Sequence, residues 1–275
     1  MGVLLQISDT HFGTEQPPVV DALLRLVTEM KPEVIVWSGD ITQRARRGQF
    51  EAARAFLEQL RPATIVTLPG NHDIPLFNLP ARLFFPYAGY RRVFGEALEP
   101  RYESADFHIL CVNTTRWYRH VDGEISPDQA QRIARQLDAS TPDRVRIVVT
   151  HQPVHVIKGK DEKNVVHGNE HAVRRWAAAG ADIVMGGHIH LPYVRPLAER
   201  FPDLPRAIWA VQAGTALSWR VRHSAPNSIN LLRRANEPYL ACIAERWDFS
   251  AARTRFEPVD SQHLPLDRPR REALN

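Results

Sequence analysis

Cysteine is scarce in this 275-residue chain: only Cys111 and Cys242 occur, both inside apolar runs. They are read as small buried hydrophobes, which excludes a disulfide-stapled fold and fits a reducing cytoplasm. Long hydrophobic runs are lacking too. No stretch approaches the roughly 18 uncharged apolar residues of a membrane span, so no stable membrane insertion is expected. The first residues run straight into polar Ser8-Asp9, without the basic start and long apolar segment of a secretion signal. Extreme charge is absent: the net charge is +4 and charged residues make up 24%. That balance suits anionic substrates, but there is no long basic run for nucleic acid. Internal repeats and low-complexity linkers are missing as well. A hydrophobic content of 44% suffices for a large core.

What is present is an alternation of short apolar runs with amphipathic segments. Residues 3–7, 34–37 and 65–68 are predicted strands. Between them, Val20, Leu23, Leu24 and Val27 mark one helix face, and Phe50, Ala53, Leu57 and Leu60 another. Pro17-Pro18 precede the first helix and Pro32 ends it. This βαβαβ order implies parallel strands with crossover helices. Residues 75–102 carry seven Phe and Tyr side chains with Arg82, Arg91 and Arg92, and form an irregular or helical insertion. Strands resume at 107–112, 145–149 and 183–185. Ser126-Pro127-Asp128-Gln129 is a capping box with Pro at the first helical position. Gly180 closes the helix around Val173, Trp176 and Ala177. After residue 190 only strands are expected, at 207–212, 228–233, 239–247 and 253–259. The chain is therefore one α/β domain, residues 1–260, of two packed sheets with helices outside. Residues 261–275 form a Pro- and Arg-rich tail on the surface.

Polar residues with metal-ligand chemistry follow five of these strands. They are Asp9-x-His11, Gly39-Asp40, Gly70-Asn71-His72-Asp73, Thr150-His151 and Gly186-Gly187-His188-x-His190. Strand C-termini form the ligand crevice of α/β sheets. Each cluster alone is a common turn or a hydrogen-bonded histidine. Five in order, each directly after an apolar run, define a metal site.

This set resembles the five-part signature of the calcineurin-like metallophosphoesterases, over about residues 3–190. The resemblance implies a four-layer α/β/β/α sandwich of two mixed sheets with flanking helices. It also implies two divalent metal ions at the strand ends. One would be held by Asp9, His11, Asp40 and His190, the other by Asp40, Asn71, His151 and His188, with Asp40 bridging. Mixed oxygen and imidazole donors suit Mn, Fe or Zn. Two cations about 3.5–4 Å apart can share a hydroxide and clamp phosphoryl oxygens. His72 and Asp73 are the expected catalytic pair, His72 at the leaving oxygen and Asp73 holding its other ring N–H. Arg44, four residues after Asp40, and the Asn113-Thr114-Thr115-Arg116 segment are further candidates for phosphate or rim contacts. The loop with His155, His167, His171, Lys158, Lys160 and Lys163 is a candidate substrate-facing flap. Gln152 departs from the family, where many relatives carry a second histidine.

The expected activity is metal-dependent hydrolysis of a phosphodiester by a metal-bridging hydroxide. The compact size and the Asn71-His72-Asp73 motif look like bacterial phosphodiesterases related to class III cyclic-nucleotide phosphodiesterases. A cyclic nucleotide is thus the first substrate to test. The alternatives are a phosphomonoesterase or a lipid-sugar-nucleotide pyrophosphohydrolase, with 75–102 as an apolar lid. An inactive metal-binding scaffold is a remote alternative, because all seven ligand positions and His72 are present. The expected partner is a small phosphoester, with no nucleic acid. Nothing in the sequence sets the oligomeric state.

Overall fold

A computed structural model describes residues 2–222, 225–236 and 240–268. In chain order the elements are β1 (Val3–Ile7), α1 (Pro17–Met30), β2 (Val34–Trp37), α2 (Arg47–Gln59), β3 (Thr64–Thr67), α3 (Leu79–Phe84) and α4 (Ala88–Phe94). Then follow β4 (Arg101–Glu103), β5 (Phe107–Cys111), α5 (Pro127–Asp138), β6 (Val145–Val149), α6 (Asn169–Ala178) and β7 (Ile183–Gly186). The chain finishes with β8 (Tyr193–Pro196), β9 (Trp209–Gln212), β10 (Ser228–Ala235), β11 (Ala241–Ser250) and β12 (Arg255–Pro265).

Two six-stranded mixed sheets result, with orders β12-β11-β10-β1-β2-β3 and β4-β5-β6-β7-β9-β8. The expected parallel unit β1-β2-β3 forms, with Leu5 opposite Ile35 opposite Ile65. Strand periodicity explains the layering, because successive side chains leave opposite faces. Leu4, Val34 and Val36 point inward, where they meet Ile109, Ile147, Val149 and Met185 of the second sheet. Leu5, Ile35 and Trp37 point outward onto α1, α2 and α4. Val148 and Val184 carry the other outer face, under Ala130, Ile133, Val173 and Trp176 of α5 and α6. The fold is therefore the four-layer α/β/β/α sandwich expected from the sequence. Each fully buried aliphatic side chain contributes about 1.5–3 kcal/mol. A charge at Val36, fully buried between the two sheets, is the kind of change that breaks it.

Local signals fall where the sequence placed them. The Ser126 hydroxyl accepts from the Gln129 amide at 3.1 Å, and the Gln129 side chain accepts from the Ser126 amide at 3.0 Å. Gly180 follows α6 with φ +95°, which a side chain would strain. Pro17 and Pro18 lie within the first turn of α1 instead of before it. Cys111 and Cys242 are both buried and free in the middle layer, where burial pushes their thiols well above the ordinary range.

Two short strands were not expected, β4 and the edge strand β8. The strand expected from 239 begins at Ala241, and Tyr239 lies outside the described residues. β12 continues past the expected start of the tail: Asp260 pairs with Arg246 and Leu264 with Cys242. Leu264 and Leu266 are buried in the middle layer, which is what holds this segment down. Arg268 then joins Arg206 on the buried Asp182 carboxylate. Residues 269–275 of the expected tail lie outside the described residues.

Candidate metal centre

The C-terminal edges of both sheets meet at one end of the sandwich. β1 delivers Asp9 and His11, and β2 delivers Asp40. Asn71 and His72 sit on a single 3-10 turn, Asn71–Asp73, after β3. The second sheet delivers His151 after β6, and His188 and His190 after β7. All seven expected ligands converge. Asp9, His11, Asp40 and His190 offer ligand atoms within 4.8 Å of one another, and so do Asp40, His151 and His188. Asp40 belongs to both groups. Asn71 joins the second group through its Oδ1, 3.2 Å from His151 Nε2.

Ring tautomers are set from outside the cluster. His151 Nδ1 donates to the Ser38 carbonyl at 2.8 Å, and His190 Nδ1 donates to the Arg220 carbonyl at 2.6 Å. Each Nε2 therefore turns inward, where loss of its proton makes it a lone-pair donor. His151 Nε2 lies 3.2 Å from Asp40 Oδ1, and His190 Nε2 lies 3.3 Å from Asp9 Oδ1. The Nε2 atoms of His11 and His190 are 3.0 Å apart. Two buried imidazole nitrogens aimed at each other suit a shared cation. His188 Nδ1 is buried without a hydrogen-bond partner. The residues thus fit two divalent ions: all donors are oxygen or imidazole, and an orphaned nitrogen has a ligand to take.

Backbone strain concentrates here. Asp9, His11, Asp40, His188 and His190 have φ between 45° and 72°. This left-handed region costs a non-glycine residue about 1–3 kcal/mol, and such strain persists where function over-determines it. Gly39 is required for a related reason. Its φ is +93°, and a Cβ there would lie 2.4 Å from His151 Nδ1.

The electrostatics follow from two buried carboxylates among four histidines. Burial opposes ionisation of Asp40, but the neighbouring His151 and His72 hold its carboxyl well below the usual range. Burial lowers and Asp40 raises the proton affinity of His151, and the balance is a value of about 9. Burial and the charge of His151 press His188 down to about 3.

His72 lines the cavity beside Asp40 but takes its orientation from an unexpected partner. Its Nδ1 donates to the Gln43 carbonyl at 2.8 Å, and its amide donates to Asp40 Oδ1 at 2.8 Å. Asp73 does not hold the ring. Its carboxylate accepts from the amides of Ile41, Thr42 and Gly70 and from the Thr42 hydroxyl, at 2.8–3.1 Å. The physical reason is the tight 3-10 turn, which buries Asp73 under the Asp40 loop and leaves His72 facing the cavity. Burial and then the charge of Asp40 raise Asp73 to about 6.

The cavity measures about 360 Å³, and its lining includes His120, Asp161, Asn164, Arg220 and Arg222. None of these five was anticipated. Arg220 donates to Gln43 Oε1 at 2.8 Å and lies 3.4 Å from His11 Nδ1. Arg222 is paired with Asp161 at 2.9 Å. Arg44 is exposed and sits over the Phe77 ring at 5.8 Å, away from the cavity lining. Arg116 donates to the Asn113 and Thr115 carbonyls and to Gln129, as a loop brace. Of the expected flap, Asp161 and Asn164 reach the cavity, but His155, His167 and His171 do not. Gln152 is a buried strut that accepts from Thr114 Oγ1 and donates to the Val121 carbonyl at 3.1 Å.

The chain belongs to the calcineurin-like phosphoesterase family, whose pattern it matches over residues 2–192. The family and the two residue groups together suggest a dinuclear site for divalent metal ions. No curated protein matches it in sequence. Among solved structures it is similar to a purple acid phosphatase from yellow lupin (Lupinus luteus), with TM-score 0.68 and 14% identity, covering 94% of this chain and 53% of that one. It thus spans about half the length of the lupin protein. It is also similar to a dimetal phosphatase from Danio rerio, with TM-score 0.64 and 13% identity, covering 97% of this chain and 99% of that one. A putative 5'-nucleotidase from Staphylococcus aureus has TM-score 0.53 and 10% identity, with 97% and 54% covered. At these identities the likeness concerns the fold.

Proposed function

We propose that the chain hydrolyses a phosphodiester, with a cyclic nucleotide as the first candidate. The observation that carries the reading is the charge of the cavity lining. Of its two guanidinium groups, Arg222 is neutralised by Asp161, which leaves Arg220 beside the metal ligands. A monoester dianion would call for more fixed positive charge than a diester monoanion.

When bound, two divalent cations, of Mn, Fe or Zn type, supply Lewis acidity to the phosphoryl oxygens and lower the pKa of water toward neutrality. Asp9, His11, Asp40 and His190 would hold one, and Asp40, Asn71, His151 and His188 the other. The remaining work belongs to the chain. His72 presents Nε2 to the cavity because Nδ1 is committed to Gln43. Doubly protonated, it can give that proton to the leaving oxygen. Arg220, held by Gln43, is placed to bind a non-bridging phosphate oxygen. The two free buried thiols support a reducing, cytoplasmic setting.

Hydrolysis of bis-p-nitrophenyl phosphate, p-nitrophenyl phosphate, cyclic AMP and a lipid pyrophosphate at equal metal loading tests the reading. Diesters are expected to give the higher kcat/KM. A preference for the monoester by about tenfold or more, equivalent to about 1.4 kcal/mol, would sink it.

A further inference from the structure

The segment that follows the Asn71–Asp73 turn is apolar and exposed. Phe77, Phe84 and Phe85 are 79%, 67% and 68% exposed, and Leu79 beside them is 68% exposed. The insertion divides at this point. α4 buries Tyr90 and packs Phe94 against Trp37, whereas α3 has no buried residue. Arg82 straps α3 down through polar contacts, donating to the carbonyls of Pro75 at 3.2 Å and Arg119 at 2.9 Å. Trp117, 44% exposed, lies on a second segment, residues 115–121, and Trp219, 63% exposed, on a third. The second and third segments border the cavity, through His120 and Val121 of the one and Val221 of the other, and Arg82 ties the first segment to the second.

Residues 74–95, 115–121 and 219–222 contain no Asp or Glu and seven Arg. Arg91, Arg116, Arg119 and Arg222 pair with acids outside these windows, Glu96, Glu124, Asp122 and Asp161, which leaves Arg82, Arg92 and Arg220 without an acidic partner among the described residues. Arg44 adds a guanidinium over the Phe77 ring. Contiguous exposed aromatics are rare on a surface that meets only water. Aromatic rings interleaved with arginines match the headgroup level of an anionic bilayer: rings settle at the interface while guanidinium groups meet lipid phosphates. Among the described residues no helix is long and apolar enough to cross a membrane, so attachment would be peripheral.

We propose that these three segments dock the chain on an anionic phospholipid surface with the cavity mouth turned toward the headgroups. The surface is independent of which phosphoester is cleaved, and its test reads binding.

The full chain is sedimented with vesicles of phosphatidylcholine alone and of phosphatidylcholine with phosphatidylglycerol at about 7:3. Binding is expected on the anionic vesicles, about tenfold weaker on the zwitterionic ones, and weakened by about 0.5 M salt. The double variant Phe84→Asp, Phe85→Asp is expected to bind at least about tenfold more weakly. It should melt at the same temperature and hydrolyse bis-p-nitrophenyl phosphate at the original rate, since neither residue lines the cavity. Brominated acyl chains should quench tryptophan fluorescence in the original chain and less after Trp117→Phe, Trp219→Phe. Failure to bind either vesicle, or equal binding by the double variant, would overturn the proposal. So would a dimer in solution that Phe84→Asp, Phe85→Asp dissociates, since a second copy would then own the surface.

Discussion

The Nδ1 atom of His72 lies 2.8 Å from the Gln43 carbonyl, while the Asp73 carboxylate is occupied by four other donors. A carbonyl can only accept, so the ring keeps its proton on Nδ1 and meets the cavity with Nε2. His72→Ala should retain both metals yet lose about 10²–10⁴-fold in turnover. The loss should be smaller for a p-nitrophenolate leaving group, which needs little protonation, than for an alkoxide. Equal losses on both would assign His72 to phosphate charge stabilisation, and loss of a metal would make it a ligand.

Asp73 is expected to act through architecture. Its carboxylate ties the loop after β2 to the turn after β3, and it is 1% exposed. Asp73→Ala leaves three buried amides without their acceptor, which should lower stability by about 3 kcal/mol. Chemical denaturation of the metal-loaded protein measures this. An unchanged midpoint together with a large fall in kcat would return Asp73 to the chemistry.

Asp40 is the one residue shared by both ligand groups. Asp40→Ala should therefore empty both positions and abolish turnover. Elemental analysis of the purified variant decides the matter, and two ions per chain at the original affinity would remove Asp40 from the bridging role.

Metal uptake should depend on pH through His151. Its value in the metal-free chain is about 9, so the ring is cationic at neutral pH and must lose a proton to become a ligand. Apparent affinity should rise by about tenfold per pH unit between about pH 7 and 9, then flatten. Titration calorimetry in buffers of different ionisation enthalpy reads the released proton directly. Affinity that is flat over this interval would contradict the pairing of His151 with Asp40.

The layers and the convergence of the seven candidate ligands were legible because both are written in short-range pattern. Val34-Ile35-Val36-Trp37 announces a strand, and Asp40 follows its end. β8 was hidden because Pro192 and Pro196 interrupt its run and read as loop, yet its ladder with β9 pairs Val194 with Val211. β4 is only three residues long. Arg220 and Gln43 are 177 positions apart, and no spacing rule joins them. The cue that existed was weaker: an acid-free Trp-Arg-Val-Arg segment late in a β-rich region. Asp73 was misjudged as the partner of His72 because adjacency in sequence does not reveal which way a 3-10 turn aims each side chain.

The ligand set is split between the two halves of the sandwich: Asp9, His11, Asp40 and Asn71 ride on one sheet, His151, His188 and His190 on the other. A cation that touches both halves works as a clasp at the end where the strands stop. Its grip on the native state grows with the logarithm of free metal over its dissociation constant. Scarcity of metal would therefore loosen that end first and expose it to proteolysis, while the opposite end stays shut. The lifetime of the protein, and not only its turnover, would then follow the metal supply around it.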